Sequence, residues 1–307
     1  MHPLVPYFQT IQLTLPLPEL FPVRQATVYG FGIAVALGII AGQWIAVRRV
    51  RRLGLDVLVL YEALFWIVLG VVVGGHLGYG LFYHPREYFA TPRLFLDLSG
   101  GLSSIGGFAF STVAVLVLLR RRRQPVWPYL DSIMIGLACG WFFGRVGCTI
   151  NHEHPGSPTR FFLGRFCRPV EGHTIEWPQW MTRQVADLRF SHCVEPAQPP
   201  VTSYSDQVPV DFSGVVGIHD MGLYEALFAL GLLALFLALD RKPRVPGYFV
   251  VLAIALYAPV RFLMDFLRPE ASDPRYLHLT PAQWGMIALA LVGIWGMRLL
   301  RAARKGQ

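Results

Sequence analysis

Long apolar runs recur along this chain, and a backbone crossing hydrocarbon must satisfy its own hydrogen bonds, which leaves it a helix or a closed barrel. The runs fall at 29–47, 58–82, 100–119, 127–150, 221–239, 248–267 and 284–300. Each is close to the roughly 20 residues that a helix needs to cross a bilayer. The pattern predicts an all-α, polytopic integral membrane protein with about seven transmembrane helices. Composition agrees, since 54% of the 307 residues are hydrophobic and only 15% are charged.

The net charge of +8 does not signal nucleic acid, because the cations flank apolar runs. Arg48, Arg49, Arg51 and Arg52 follow the first run, Arg120 to Arg123 the third, Arg241, Lys242 and Arg244 the fifth, and Arg301, Arg304 and Lys305 the seventh. Every second junction is therefore basic. The bias of Lys and Arg toward the cytoplasm predicts an N-terminus outside and a C-terminus in the cytoplasm. No cleavable leader is expected, because prolines interrupt the N-terminal residues and no basic start precedes an apolar core.

One transmembrane domain over 1–307 is expected, with an inserted extracytoplasmic loop or cap at 151–220 rich in Pro, Thr, Ser and charge. Cys167 and Cys193 lie in that loop, on the oxidising side of this topology, where a disulfide could form. Spacing alone leaves the bond open.

Ionisable residues inside apolar runs mark candidate sites, because an intramembrane charge is costly and needs a partner. Arg145 lies near the end of the fourth run, Arg261 lies in the sixth, and Arg268 follows Arg261 by about two helical turns, a separation that keeps the two on similar faces of one helix. Converging guanidinium groups would clamp a phosphodiester through paired donors. The bland alternative pairs Arg145 with Glu153 and Arg261 with Asp265, and leaves Arg268 snorkelling at the interface. His76 reads more readily as an interhelical hydrogen bond than as a catalytic group. Cys148, His152, Glu153, His154, His219 and Asp220 have the chemistry of metal ligands but no closed-site spacing. No metal and no cofactor is assigned, and the same residues could supply a general base.

Several spaced motifs then resemble those of the prolipoprotein diacylglyceryl transferases. Gly144-Arg145-Val146-Gly147-Cys148-Thr149-Ile150-Asn151-His152-Glu153 is similar to that family's G-R-x-G-N-F-x-N-G-E. Tyr29-Gly30 resembles its first-helix Tyr-Gly, Gly74 to Tyr79 its G-G-R-L-G-Y, and Gly100-Gly101-Leu102-Ser103 its G-G-x-S. His219 through Tyr224-Glu225 follows H-P-S-Q-L-Y-E, and Tyr257, Arg261, Asp265, Phe266 and Arg268 follow Y-x-x-x-R-x-x-x-E-F-x-R. Nearly all seven runs are covered; the outer loop is the main part without a counterpart.

The resemblance implies transfer of the diacylglyceryl group from phosphatidylglycerol to the lipobox cysteine of a prolipoprotein signal peptide, forming a thioether and releasing glycerol phosphate. It implies a bacterial cytoplasmic (inner) membrane location, with the bilayer as a further partner and no nucleic acid. Catalytic roles fall on Arg145, Arg261, Glu153 and His219, and substrate binding on Tyr29, Gly100, Gly101, Asn151, His152, Tyr224 and Arg268. Departures stand at Ile105, where the family's G-G-x-S-F-H-G-G has histidine, and at Cys148, His152 and His76. Isoleucine cannot move a proton. Glu153, His152, His154 or His219 then takes over proton transfer, or the acyl donor or acceptor differs, or the chain binds phospholipid as an assembly protein without turnover.

Overall fold

The structure is a computed structural model that describes residues 5, 11–16, 25–96, 101–151, 155–159, 161–165, 217–268 and 275–305. Gly100, His152, Glu153, His154, Cys167 and Cys193 lie outside the described residues, as does most of the 151–220 loop. Among the described residues, seven helices are long and apolar enough to cross a membrane. In chain order the elements are strands β1 (Gln12–Pro16) and β2 (Gln25–Tyr29), then helices α1 (Gly30–Arg52), α2 (Val57–Phe82), α3 (Pro85–Ala90), α4 (Ser104–Arg121) and α5 (Val126–Ile150). Strands β3 (Pro155–Thr159) and β4 (Gly217–Asp220) lead to α6 (Met221–Leu239), α7 (Tyr248–Met264) and α8 (Pro281–Lys305). The α3 helix is a short one between spans; the other seven correspond to the expected runs.

Two compact units divide the chain. The first comprises residues 42–137, 236–262 and 273–307. Its buried cluster contains Val47, Val50, Val59, Leu60, Ala63, Val115, Leu119 and Tyr129. The helices α2 and α4 meet along small residues, because lipid-embedded helices gain contact by bringing their backbones together. A Cβ on Gly106 would stand 2.1 Å from the Gly74 carbonyl oxygen, and one on Gly78 would stand 2.6 Å from the Gly106 Cα. Ser111, one turn further along α4, donates to the Ile67 carbonyl at 3.0 Å.

Charged residues buried in this unit serve helix ends and one another. Asp131 accepts from the backbone N–H groups of Gly247, Phe249 and Val250 at 2.8, 2.9 and 3.1 Å, so a carboxylate from α5 caps the start of α7. Helix N-termini leave such donors without intrahelical partners. Arg49 reaches Asp240 and Ser132, both at 2.8 Å, and Arg52 also pairs with Asp240. Asp131→Ala is expected to lower stability by about 3 kcal/mol, because a lost cap costs about 1 and each buried donor left unpaired about 1–3. Thermal unfolding in mild detergent would show this as a lower midpoint, with Asp131→Asn, which keeps an acceptor, falling between.

In the second unit, residues 1–41, 138–235 and 263–272, two small antiparallel sheets accompany helix halves. The β1–β2 hairpin pairs Gln12 with Tyr29 and Pro16 with Gln25. The β3–β4 pair opposes Pro155 to Asp220 and Thr159 to Gly217, with an irregularity between Pro155 and Pro158. Glycine contacts again set the spacing: Gly147 faces Phe31 and Ala34 of α1, and a Cβ on Gly222 would lie 2.8 Å from the Thr149 hydroxyl.

Candidate active site

The close approach of Gly222 to Thr149 positions the central ion pair. Arg145 lies one turn before Thr149 on α5, and Glu225 lies three residues after Gly222 on α6, so both project from the faces that meet. The Arg145 Nη2 is 2.8 Å from the Glu225 Oε2, with Glu225 4% and Arg145 21% exposed. That approach is close in distance but poorly aligned for a hydrogen bond. A lone carboxylate at this depth would be costly, and the guanidinium beside it reduces that cost. On its other side Arg145 Nη1 comes within 3.9 Å of the Cys148 sulfur. The alternative partner, Glu153, lies outside the described residues; among those described, the carboxylate beside Arg145 is Glu225.

A second group stands at the β4–α6 corner. His219 Nδ1 is 2.9 Å from the Tyr224 hydroxyl, and Phe161 packs against both rings. Burial holds the His219 imidazole below its ordinary value of 6.5, since the charged form loses hydration there. The next residue, Asp220, accepts from the Leu223 N–H at 3.0 Å as the N-cap of α6 and forms a buried ion pair with Arg165. Arg165 also exchanges two backbone hydrogen bonds with Ile218, each 2.9 Å. One arginine thus ties down the strand that carries His219, while strand alternation turns His219 to the opposite side from Ile218 and Asp220.

The remaining predicted residues distribute as follows. Asn151 directly follows α5, its N–H donating to the Gly147 carbonyl at 2.9 Å, and it is half-buried. Tyr29 is the last residue of β2 and is exposed. Arg268 lies 3.8 Å from Asp265 and is 21% exposed. The expectation that Arg261 and Arg268 share a helical face fails, because α7 ends at Met264, a 3₁₀ turn covers Asp265–Leu267, and Arg268 is extended. Arg261 is half-buried in the last turn of α7, in the first unit.

One further predicted residue, Gly101, and two of the departures, Ile105 and His76, lie in the first unit. Gly101 lies against the Tyr79 ring, where a Cβ would approach to 2.5 Å. Ile105 is half-buried and faces Gly285 of α8. His76 is buried and bonds the Leu94 carbonyl at 3.0 Å through Nε2. Its partner is the backbone of a 3₁₀ turn, Pro92–Leu96, rather than another spanning helix.

The sequence reading missed two partners, Glu225 and Arg165. Glu225 carried a signal, since an acid inside an apolar run calls for a cation. Arg165 carried none, lying in the polar loop.

The profile of the family described as "Prolipoprotein diacylglyceryl transferase" matches residues 18–299. The phosphatidylglycerol–prolipoprotein diacylglyceryl transferase of Sinorhizobium medicae is 27% identical over 305 residues, covering 94% of this chain and 95% of the relative. Relatives of the same name are 28% identical in Chromohalobacter salexigens, over 90% of this chain and 91% of theirs, and 29% identical in Pseudomonas putida, over 91% and 90%.

Proposed function

The chain belongs to the prolipoprotein diacylglyceryl transferase family, and from that membership we propose that it transfers the diacylglyceryl group of phosphatidylglycerol to a prolipoprotein. It is a multi-pass membrane protein by its seven apolar helices. The acceptor is the lipobox cysteine, and the membrane is the bacterial inner membrane, crossed with the N-terminus outside and the C-terminus in the cytoplasm. The observation that carries the reading is Arg145 on its carboxylate support, Glu225, inside the family's own motif. The binder without turnover is not favoured, since the relatives carry the transferase name.

In the reaction, the cysteine sulfur attacks the glyceryl carbon, the carbon–oxygen bond to phosphate breaks, and glycerol phosphate leaves. Charge grows on the phosphate as that bond breaks. Arg145, with five N–H donors, offers more than one carboxylate can accept and so can meet the phosphate while Glu225 orients it. Arg261 is proposed to share that task, with Arg268, Tyr29, Gly100, Gly101, Asn151, His152 and Tyr224 in substrate binding. His219 takes the thiol proton at Nε2 while its Nδ1–H donates to the Tyr224 oxygen; Glu153 remains the second candidate base.

Because burial disfavours the imidazolium of His219, its neutral form persists below pH 6.5. The acid limb of the transfer rate is therefore expected below 6.5 and is lost in His219→Asn; a limb that survives this substitution assigns the base elsewhere. The reaction itself is tested with purified protein in vesicles of labelled phosphatidylglycerol and a lipobox peptide. The expected product is a peptide heavier by one diacylglyceryl group, absent when the peptide cysteine is serine. Lipid binding without that product would overturn the proposal.

A further inference from the structure

The β1–β2 hairpin has two chemically distinct faces. Its register sets Leu13 opposite Val28 and Thr14 opposite Thr27. Strand alternation then gathers Ile11, Leu13, Leu15 and Val28 on one face, and Gln12, Thr14, Thr27 and Tyr29 on the other. The polar face is closed on itself in part, with the Thr14 and Thr27 hydroxyls 3.5 Å apart. On the apolar face Ile11, Leu13 and Leu15 are 55%, 53% and 44% exposed. Three neighbouring aliphatic side chains facing water would forgo the gain of burial, roughly 25 cal/mol for each Å².

The position of the hairpin says what removes that face from water. Tyr29 ends β2 and Gly30 begins α1 with no residue between them, and the Gly30 N–H donates to the Ile11 carbonyl at 2.7 Å. The 23 residues of α1 rise about 34 Å, close to the roughly 30 Å of bilayer hydrocarbon. Arg48, Arg49, Arg51 and Arg52 close its other end. With those arginines at one boundary, Gly30 and Ile11 stand at the other. A five-residue strand, about 16 Å long, fits within the interfacial layer when it lies along the surface.

We propose that the Ile11–Leu13–Leu15 face of the hairpin lies in the bilayer interface at the α1 N-terminal end, against lipid acyl chains, with the threonine face toward water. The occupant is lipid because β2 runs without a break into the membrane-crossing helix α1 and the Gly30–Ile11 hydrogen bond ties the other strand to the first residue of that helix. Alternation of apolar and polar residues along one ribbon matches a boundary with hydrocarbon on one side and water on the other. The hairpin would then hold Tyr29 at headgroup depth. This inference does not depend on which reaction the chain performs.

A photoreactive benzophenone side chain placed singly at Leu13, Leu15, Thr14 and Thr27 of the full-length protein tests it. The four proteins, reconstituted in vesicles of phosphatidylglycerol and phosphatidylethanolamine, are illuminated and the adducts identified by mass. Lipid adducts through acyl carbons are expected several-fold more often from positions 13 and 15 than from 14 and 27. Equal lipid labelling of both faces would overturn the proposal. So would crosslinks from 13 and 15 to another part of this chain, or to a second copy. All four positions are on an exposed ribbon, so a defect in one protein leaves its neighbour on the same face to decide the outcome.

Discussion

Arg145→Ala is expected to lower diacylglyceryl transfer by roughly 10²–10³-fold, the loss typical of removing one preorganised donor to developing charge. The same substitution leaves Glu225 buried without its cation at 2.8 Å, so turnover must be compared at equal amounts of inserted, monodisperse protein. Arg145→Lys keeps the charge but not the planar fork, and is expected to recover only part of the rate. Glu225→Gln distinguishes support from catalysis: it removes the counter-charge while Arg145 remains. Its expected effect is smaller than that of Arg145→Ala. Turnover by Arg145→Ala equal to that of the parent protein would remove Arg145 from the reaction.

The second large effect is expected at Gly106→Val. A Cβ there meets the Gly74 carbonyl at 2.1 Å and the Gly78 Cα at 2.7 Å. Overpacking a core generally costs about 1–3 kcal/mol when side chains can move aside. Here the obstacles are backbone atoms of a neighbouring helix, so α2 and α4 would have to separate. The expected outcome exceeds that range and appears as loss of folded protein in detergent. Gly107→Ala is the control, because its Cβ would first meet Val71 at 3.4 Å, an ordinary contact. Equal stability of Gly106→Val and the parent protein would contradict the close approach of the two helices.

The seven spans were legible because hydrocarbon permits so few backbone solutions, and the described helices follow the apolar runs. Their ends were less so. The third span starts at Ser104 rather than at residue 100, because the Ser103 hydroxyl accepts from the Gly106 N–H at 3.3 Å and caps the helix there. The first runs on through Arg52, since arginines are good helix formers and can extend their heads to water. Arg145 could be found from sequence as a charge in an apolar run, whereas its partner depends on how α5 and α6 meet at Gly222, a fact of tertiary packing. The face shared by Arg261 and Arg268 was inferred from an uninterrupted helix, and the turn at Asp265–Leu267 ends that geometry. Asp131 illustrates the same limit, as a carboxylate on one helix serving the first turn of another 116 residues away.

The glycine contacts between α2 and α4 bear on how a two-tailed lipid could reach any reaction centre in this fold. With carbonyl and Cα atoms of Gly74, Gly78 and Gly106 already touching, no doorway for a fatty chain exists along that seam. Substrate traffic must use another gap between helices, and widening the α2–α4 seam would damage the scaffold without hastening delivery.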